Sequence, residues 1–215
     1  ACGVTFQAGT AVTLTATPTA TSAFVGWTGA CSGNSTCTVT MDGARSVGAT
    51  FSIFTYSLAV DIGTGGGVVT SEPGGIYCGF DCSQSYSAAA IVTLTAFPEP
   101  GALFRGWSGA CSGTGTCTVT VDGPKAVRAQ FTYPLSVSRA GTGAGTVTSS
   151  PTAISCGGAC DAELANASSV TLTATPDAVS LFGGWSGACS GTGTCTLSMD
   201  AARSVTATFT RATYT

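Results

Sequence analysis

A twelve-residue stretch, GWSGACSGTGTC at 106–117, recurs unchanged at 184–195 and as GWTGACSGNSTC at 26–37. No other feature constrains the fold of this chain as tightly. Each copy has a Phe two residues upstream and runs into a Thr-rich segment, CTVT or CTLS. The tryptophans fall at 27, 107 and 185, a spacing of 80 and then 78 residues. Self-similarity at such a period marks a tandem array of one small unit.

Residues 55–132 are a complete copy. Tyr56, Leu58, Val60 and Ile62 alternate with Ser57, Ala59 and Asp61, the period-2 pattern of a half-buried strand. The Gly-rich run at 63–67 leading into Val68-Val69-Thr70 predicts a hairpin. IVTLTAF at 91–97 alternates again, Pro98-Glu99-Pro100-Gly101 ends it, and ALFRGWSG begins the next strand. CTVTV at 117–121 and AVRAQF at 126–131 flank a tight turn at Asp122-Gly123-Pro124. Residues 133–210 match this strand for strand.

The first copy, 1–54, enters late: residues 2–12 align with 82–92 and 160–170, so its first hairpin and the first Cys of its CxxxC pair are missing. RATYT at 211–215 looks like the opening strand of a further copy, or is a tail. No substantial helix is expected; the segment at 161–169 is short and interrupted by Asn and Ser. The expected fold is all-β, a string of disulfide-stapled β domains of about 78–80 residues each. One residue separates Phe131 from Tyr133, and four separate Phe51 from Tyr56 and Phe209 from Tyr214. Flexible linkers are longer and rich in Gly and Ser, so such junctions predict a stiff rod.

Charged residues are 8% of the chain, against about 25% in ordinary globular proteins. Low charge with many Val, Leu, Phe and Thr favours folded β structure over disorder. The net charge is −3, and seven basic residues are spread along the chain. No basic patch invites nucleic acid or an anionic membrane surface. No apolar run reaches the roughly 18 residues of a membrane span.

Eleven cysteines and no histidine read as disulfides in an oxidising, extracellular or cell-surface setting. Local pairing gives Cys31–Cys37, Cys78–Cys82, Cys111–Cys117, Cys156–Cys160 and Cys189–Cys195. Each small loop contributes roughly 2 kcal/mol by chain entropy. Cys2 is unpaired because the partner position is absent. The alternative, a four-thiolate metal site per repeat, usually has CxxC knuckles, which these spacings lack.

Trp27, Trp107 and Trp185 could form a sugar-stacking platform, one ring per repeat, or pack the core with Phe24, Phe104 and Phe182. Strict alternation puts each Phe and its Trp on opposite faces unless a bulge intervenes. The threonine ladders suit the wet face of a sheet. Asp42, Asp122 and Asp200 precede Arg45, Lys125 and Arg203 by three residues, a turn with a weak surface ion pair. Isolated acids supply no calcium cage. Without His, with one Lys, and with no GxSxG or P-loop, the chain predicts no catalytic residue and no cofactor. The single Lys also rules out a Lys–Asn isopeptide link in every repeat.

Laid out as VTLTA, FxGWSGACSGTGTCTVTMD and SVTATF, the chain resembles the divergent internalin-type B-repeat of bacterial secreted and cell-surface proteins over nearly its whole length. The resemblance implies a small β-rich module, β-grasp-like, with a small β-sandwich as the alternative. It implies use as a stalk or adhesive segment, and it transfers no catalytic residue. The function expected is a structural, non-enzymatic array forming a stiff stalk or a surface fibre, with neighbouring repeats or further copies as partners. The alternative is an adhesion module for a glycan or a host protein.

Overall fold

The computed structural model describes residues 3–213. These fall into two compact units. The first comprises Ala1–Ser57, Ser85–Ile91 and Thr120–Pro124; the second comprises Leu58–Gln84, Val92–Val119 and Lys125–Thr215. All-β structure is what the alternating sequence builds, and no helix occurs among the described residues.

The first repeat supplies β1 (Ala11–Leu14), β2 (Ser22–Gly29), β3 (Cys37–Thr40) and β4 (Val47–Ile53). The second supplies β5 (Thr55–Asp61), β6 (Gly67–Glu72), β7 (Tyr77–Cys78), β8 (Ser83–Ser87), β9 (Ala90–Pro98), β10 (Leu103–Gly109) and β11 (Cys117–Val121). The long β12 (Lys125–Ala140) closes it and opens the third. There follow β13 (Gly145–Ser150), β14 (Ser155–Cys156), β15 (Asp161–Ala165), β16 (Ser169–Pro176), β17 (Ser180–Gly187), β18 (Cys195–Ser198) and β19 (Arg203–Arg211). The segment at 161–169, weighed above as a short helix, begins with β15 and runs into β16.

The third repeat, inside the second unit, shows the complete plan. One sheet has the order β17-β19-β12-β15 and the other β14-β13-β16-β18. Leu135, Val137, Val205, Ala207 and Phe209 from the first meet Val147, Ile154, Val170, Leu172 and Leu197 from the second in one core. Of the two forms of the all-β expectation, this is the sheet-on-sheet one. Each fully buried aliphatic side chain contributes about 1.5–3 kcal/mol, so alternation alone commits these strands to one inward face. The second repeat has the matching outer sheet, β11-β9-β6-β7.

The run at 63–67, read above as a hairpin, and the tight turn at 122–124 each connect strands of different sheets. β6 pairs with β7 and β9, not with β5. β11 lies in the sheet of β9, while β12 lies with β10 and β5. Alternation dictates which face of a strand is buried but not which strand lies beside it.

β12 crosses from the second repeat to the third without a break. Its first half pairs with β10 and, in parallel, with β5; its second half pairs with β15 and, in parallel, with β19. Val127, Ala129, Phe131, Tyr133, Leu135 and Val137 are all buried, so the inward phase is unchanged across the junction. The single spacer residue is the cause, because side chains repeat every two residues. Phe51 and Tyr56, five residues apart, differ in phase, and Phe54 lies between β4 and β5. Thr132, the spacer, is buried and in register with both Leu103 and Ala165.

Side chains lock this joint from both repeats. Arg105 pairs with Glu163, and the Tyr133 hydroxyl donates to Glu99 at 3.0 Å. Thr64 Oγ1 donates to the Asn166 carbonyl at 2.6 Å, and Asn166 Nδ2 returns a bond to the Thr64 carbonyl at 2.7 Å. Ala102 of the second repeat is part of the core of the third.

Among the described residues, the first repeat has counterparts of β16 to β19 only. Phe51 is 43% exposed where its equivalent Phe209 is 1% exposed. Leu14, Met41 and Val47 are half-buried, while Leu172, Met199 and Val205 are fully covered.

Candidate functional site

The recurring GW motif forms the same structure in each copy. β10 and β12 slip register between Phe104 and Gly106, as do β2 and β4 between Phe24 and Gly26, and β17 and β19 between Phe182 and Gly184. A bulge therefore intervenes between each Phe and its Trp. One extra residue brings Phe and Trp to the same side, edge to face, with ring centroids 5.1, 5.0 and 5.0 Å apart.

Beyond the bulge the chain folds back over the tryptophan. The Trp107 backbone N–H donates to the Gly113 carbonyl at 2.8 Å, and its indole N–H donates to the Gly115 carbonyl at 2.6 Å. Trp27 donates likewise to Gly33 and Ser35, and Trp185 to Gly191 and Gly193. The close approach needs glycine before the tryptophan: at Gly106 (φ 128°) a Cβ would lie 2.8 Å from the Gly113 carbonyl oxygen.

The disulfides Cys31–Cys37, Cys111–Cys117 and Cys189–Cys195 cross the base of these loops. Cys78–Cys82 and Cys156–Cys160 close the shorter ones. With these ten cysteines joined in pairs, none offers a metal a thiolate. No cluster of three or more His, Cys, Asp or Glu occurs among the described residues. Cys2 lies outside the described residues.

Trp27, Trp107 and Trp185 are only 8%, 5% and 5% exposed. The sugar-stacking role considered for them needs an open ring face, and the loop and the partner Phe cover these rings. The structure places all three in the core. Arg45 pairs with Asp42 and Arg203 with Asp200, as turn residues on the surface. Hydrogen bonding from the Arg45 guanidinium, aided by its charge, holds the Asp42 carboxyl below its ordinary range.

An open aromatic surface occurs elsewhere. In the IYCGFDC loop of the second repeat, Tyr77 and Phe80 stack with centroids 5.9 Å apart and planes 17° from parallel. Phe80 is 91% exposed and Tyr77 50%. Tyr77 is in register with Thr70 on β6, on the outward face of that sheet. Val68 and Phe97, cross-strand partners on β6 and β9, also face outward. The sequence reading treated this loop only as a cysteine pair. A signal was available: the third repeat has Ser155 and Gly158 at the positions of Tyr77 and Phe80, so the rings are not needed by the scaffold.

Family comparison finds the divergent InlB B-repeat domain matching residues 1–54, 56–134 and 135–213. Curated proteins give no match. Among solved structures, the major pilin of Streptococcus pyogenes is similar at 11% identity and a TM-score of 0.29, covering 74% of this chain and 97% of the pilin. A mutant shaft pilin SpaA from Lactobacillus rhamnosus GG is similar at 11% identity and a TM-score of 0.25, covering 75% of this chain and 98% of that one. Likeness at that level carries no argument about fold or role.

Proposed function

Because the chain belongs to the divergent InlB B-repeat family, we propose that it is a non-enzymatic structural segment of an extracellular or cell-surface protein. In this reading the second and third repeats hold a fixed spacing, and the partners of each repeat are its neighbours in the array. The observation that carries it is β12, one strand of 16 residues serving two repeats with its inward phase intact. A joint made of a shared strand resists bending, because both halves lie in hydrogen-bonded ladders. Five disulfides support an oxidising location, and the absence of His with a single Lys leaves little for acid–base catalysis.

The test is to extend the non-reduced chain between its ends in an optical trap, with and without one Ser inserted after Thr132. The insertion reverses the phase of everything that follows it. Repeats 2 and 3 should give way together in the wild type and separately in the insertion variant. Separate events in both would remove the joint as the basis of stiffness. In the fibre form of this proposal, arrays associate further on the surface. Electron microscopy of non-reduced native material should then show filaments; isolated short rods would reduce the reading to a stalk.

A further inference from the structure

We propose that the stacked Tyr77–Phe80 pair is a carbohydrate-binding site that accepts the C–H face of a neutral sugar. The pair is held ready for a ligand. Cys78–Cys82 closes its loop with Cα atoms 4.1 Å apart. Phe80 N–H and Asp81 N–H both donate to the Tyr77 carbonyl, at 3.0 and 2.9 Å, and Tyr77 N–H donates to the Asp81 carbonyl at 3.0 Å. A ligand meeting a preset ring loses little affinity to ordering the site.

The scaffold does not require these rings. In the third repeat the same loop forms with Ser155 N–H donating to the Ala159 carbonyl at 3.0 Å and Cys156 joined to Cys160. There Ser and Gly suffice. A phenyl group 91% exposed to water, placed where a sibling repeat has glycine, contributes nothing to the core it sits outside.

The surroundings select the ligand. The open ring face carries the negative side of the aromatic quadrupole and attracts weakly positive C–H groups. Thr70 and Thr95, cross-strand partners on this face, offer hydroxyls to a sugar's own. Asp81, in the loop, and Glu72, on β6, are the ionisable groups closest in sequence to the pair, and both are acidic. They disfavour uronic acids, sulfated glycans and nucleic acid. A protein partner would need about 800 Å² from each side, far more than two rings between rows of threonine supply.

The experiment is native affinity electrophoresis of the whole, non-reduced chain through gels containing hydroxyethyl cellulose, arabinoxylan, galactomannan or glycol chitin, with heparin as the anionic control. The variant is Y77S/F80G, which installs what the third repeat already carries and so preserves the fold. At least one neutral polymer should retard the wild type, with the variant retarded about tenfold more weakly. Heparin should retard neither. Equal retardation of wild type and variant would overturn the proposal, as would no retardation by any neutral polymer. Sedimentation supplies a further refuting outcome: dimers that Y77S/F80G abolishes would make the pair a contact between copies. Failure here leaves the shared-strand joint untouched, since that is read by force and not by binding.

Discussion

The second and third repeats share one plan and differ on one face. Both have the bulge, the covered tryptophan and the two short disulfide loops. Their inward residues correspond almost one for one: Val69 with Val147, Leu94 with Leu172, Val119 with Leu197. On the outward face of the β6 and β13 sheets the chemistry diverges. Val68, Tyr77, Phe80 and Phe97 of the second repeat stand where the third has Thr146, Ser155, Gly158 and Thr175. Close packing leaves an inward position little freedom, whereas an outward one can change without cost to the fold. Differences between sibling repeats therefore point to display, and identities to construction.

The comparison can be broken first at the tryptophan. Trp185→Ala and Trp107→Ala should each cost about 3–5 kcal/mol in urea unfolding, the range for truncating a buried aromatic. The two losses should agree closely; a small loss at one site alone would show that the loops are not equivalent. Next in size are the disulfides across these loops. C189A/C195A and C111A/C117A should each cost roughly 2 kcal/mol, and a larger loss would mean that the bond also holds the carbonyls over the indole.

The joint between the repeats comes third. Tyr133→Phe removes the bond to Glu99 and should cost about 0.5–1.5 kcal/mol. Burial, reinforced by the hydrogen bond to Glu99 and its charge, raises the Tyr133 phenol above its ordinary value. The unfolded chain thus ionises first, from about pH 10. The stability Tyr133 provides is complete below that pH and is lost as pH rises through the folded value. Urea midpoints between pH 9 and 12 should fall more steeply for the wild type than for Tyr133→Phe; parallel curves would refute the assignment.

The smallest expected effect sharpens the comparison most. Y77S/F80G and the reverse exchange S155Y/G158F should both leave stability within about 0.5 kcal/mol. Any larger change would mean that the outward face takes part in construction after all.

Period, strand content and disulfide pairing were legible in the sequence because each is local. A CxxxC pair can close only a short loop, and TLTA can bury only one side of a strand. The motif left two outcomes open, Phe104 and Trp107 on opposite faces or a bulge between them, and the structure has the bulge. The misread connection was non-local. Gly63 to Gly67 looked like a hairpin because turn residues do not reveal whether the next strand pairs with the last or crosses to the facing sheet. For the tryptophans, core packing with the neighbouring Phe stood beside sugar stacking, and the structure bears out the core reading; one-dimensional spacing does not show that a loop eight residues on lies over the ring.

The sequence by itself determined the repeat unit, its inward and outward phases, and the cysteine loops, all properties of neighbours along the chain. Only the tertiary structure decided that β12 is shared between two repeats, that the conspicuous tryptophans are sealed, and that an inconspicuous Tyr–Phe pair is open to water. Exposure is settled by what else packs against a residue, and those partners come from strands and loops remote in sequence.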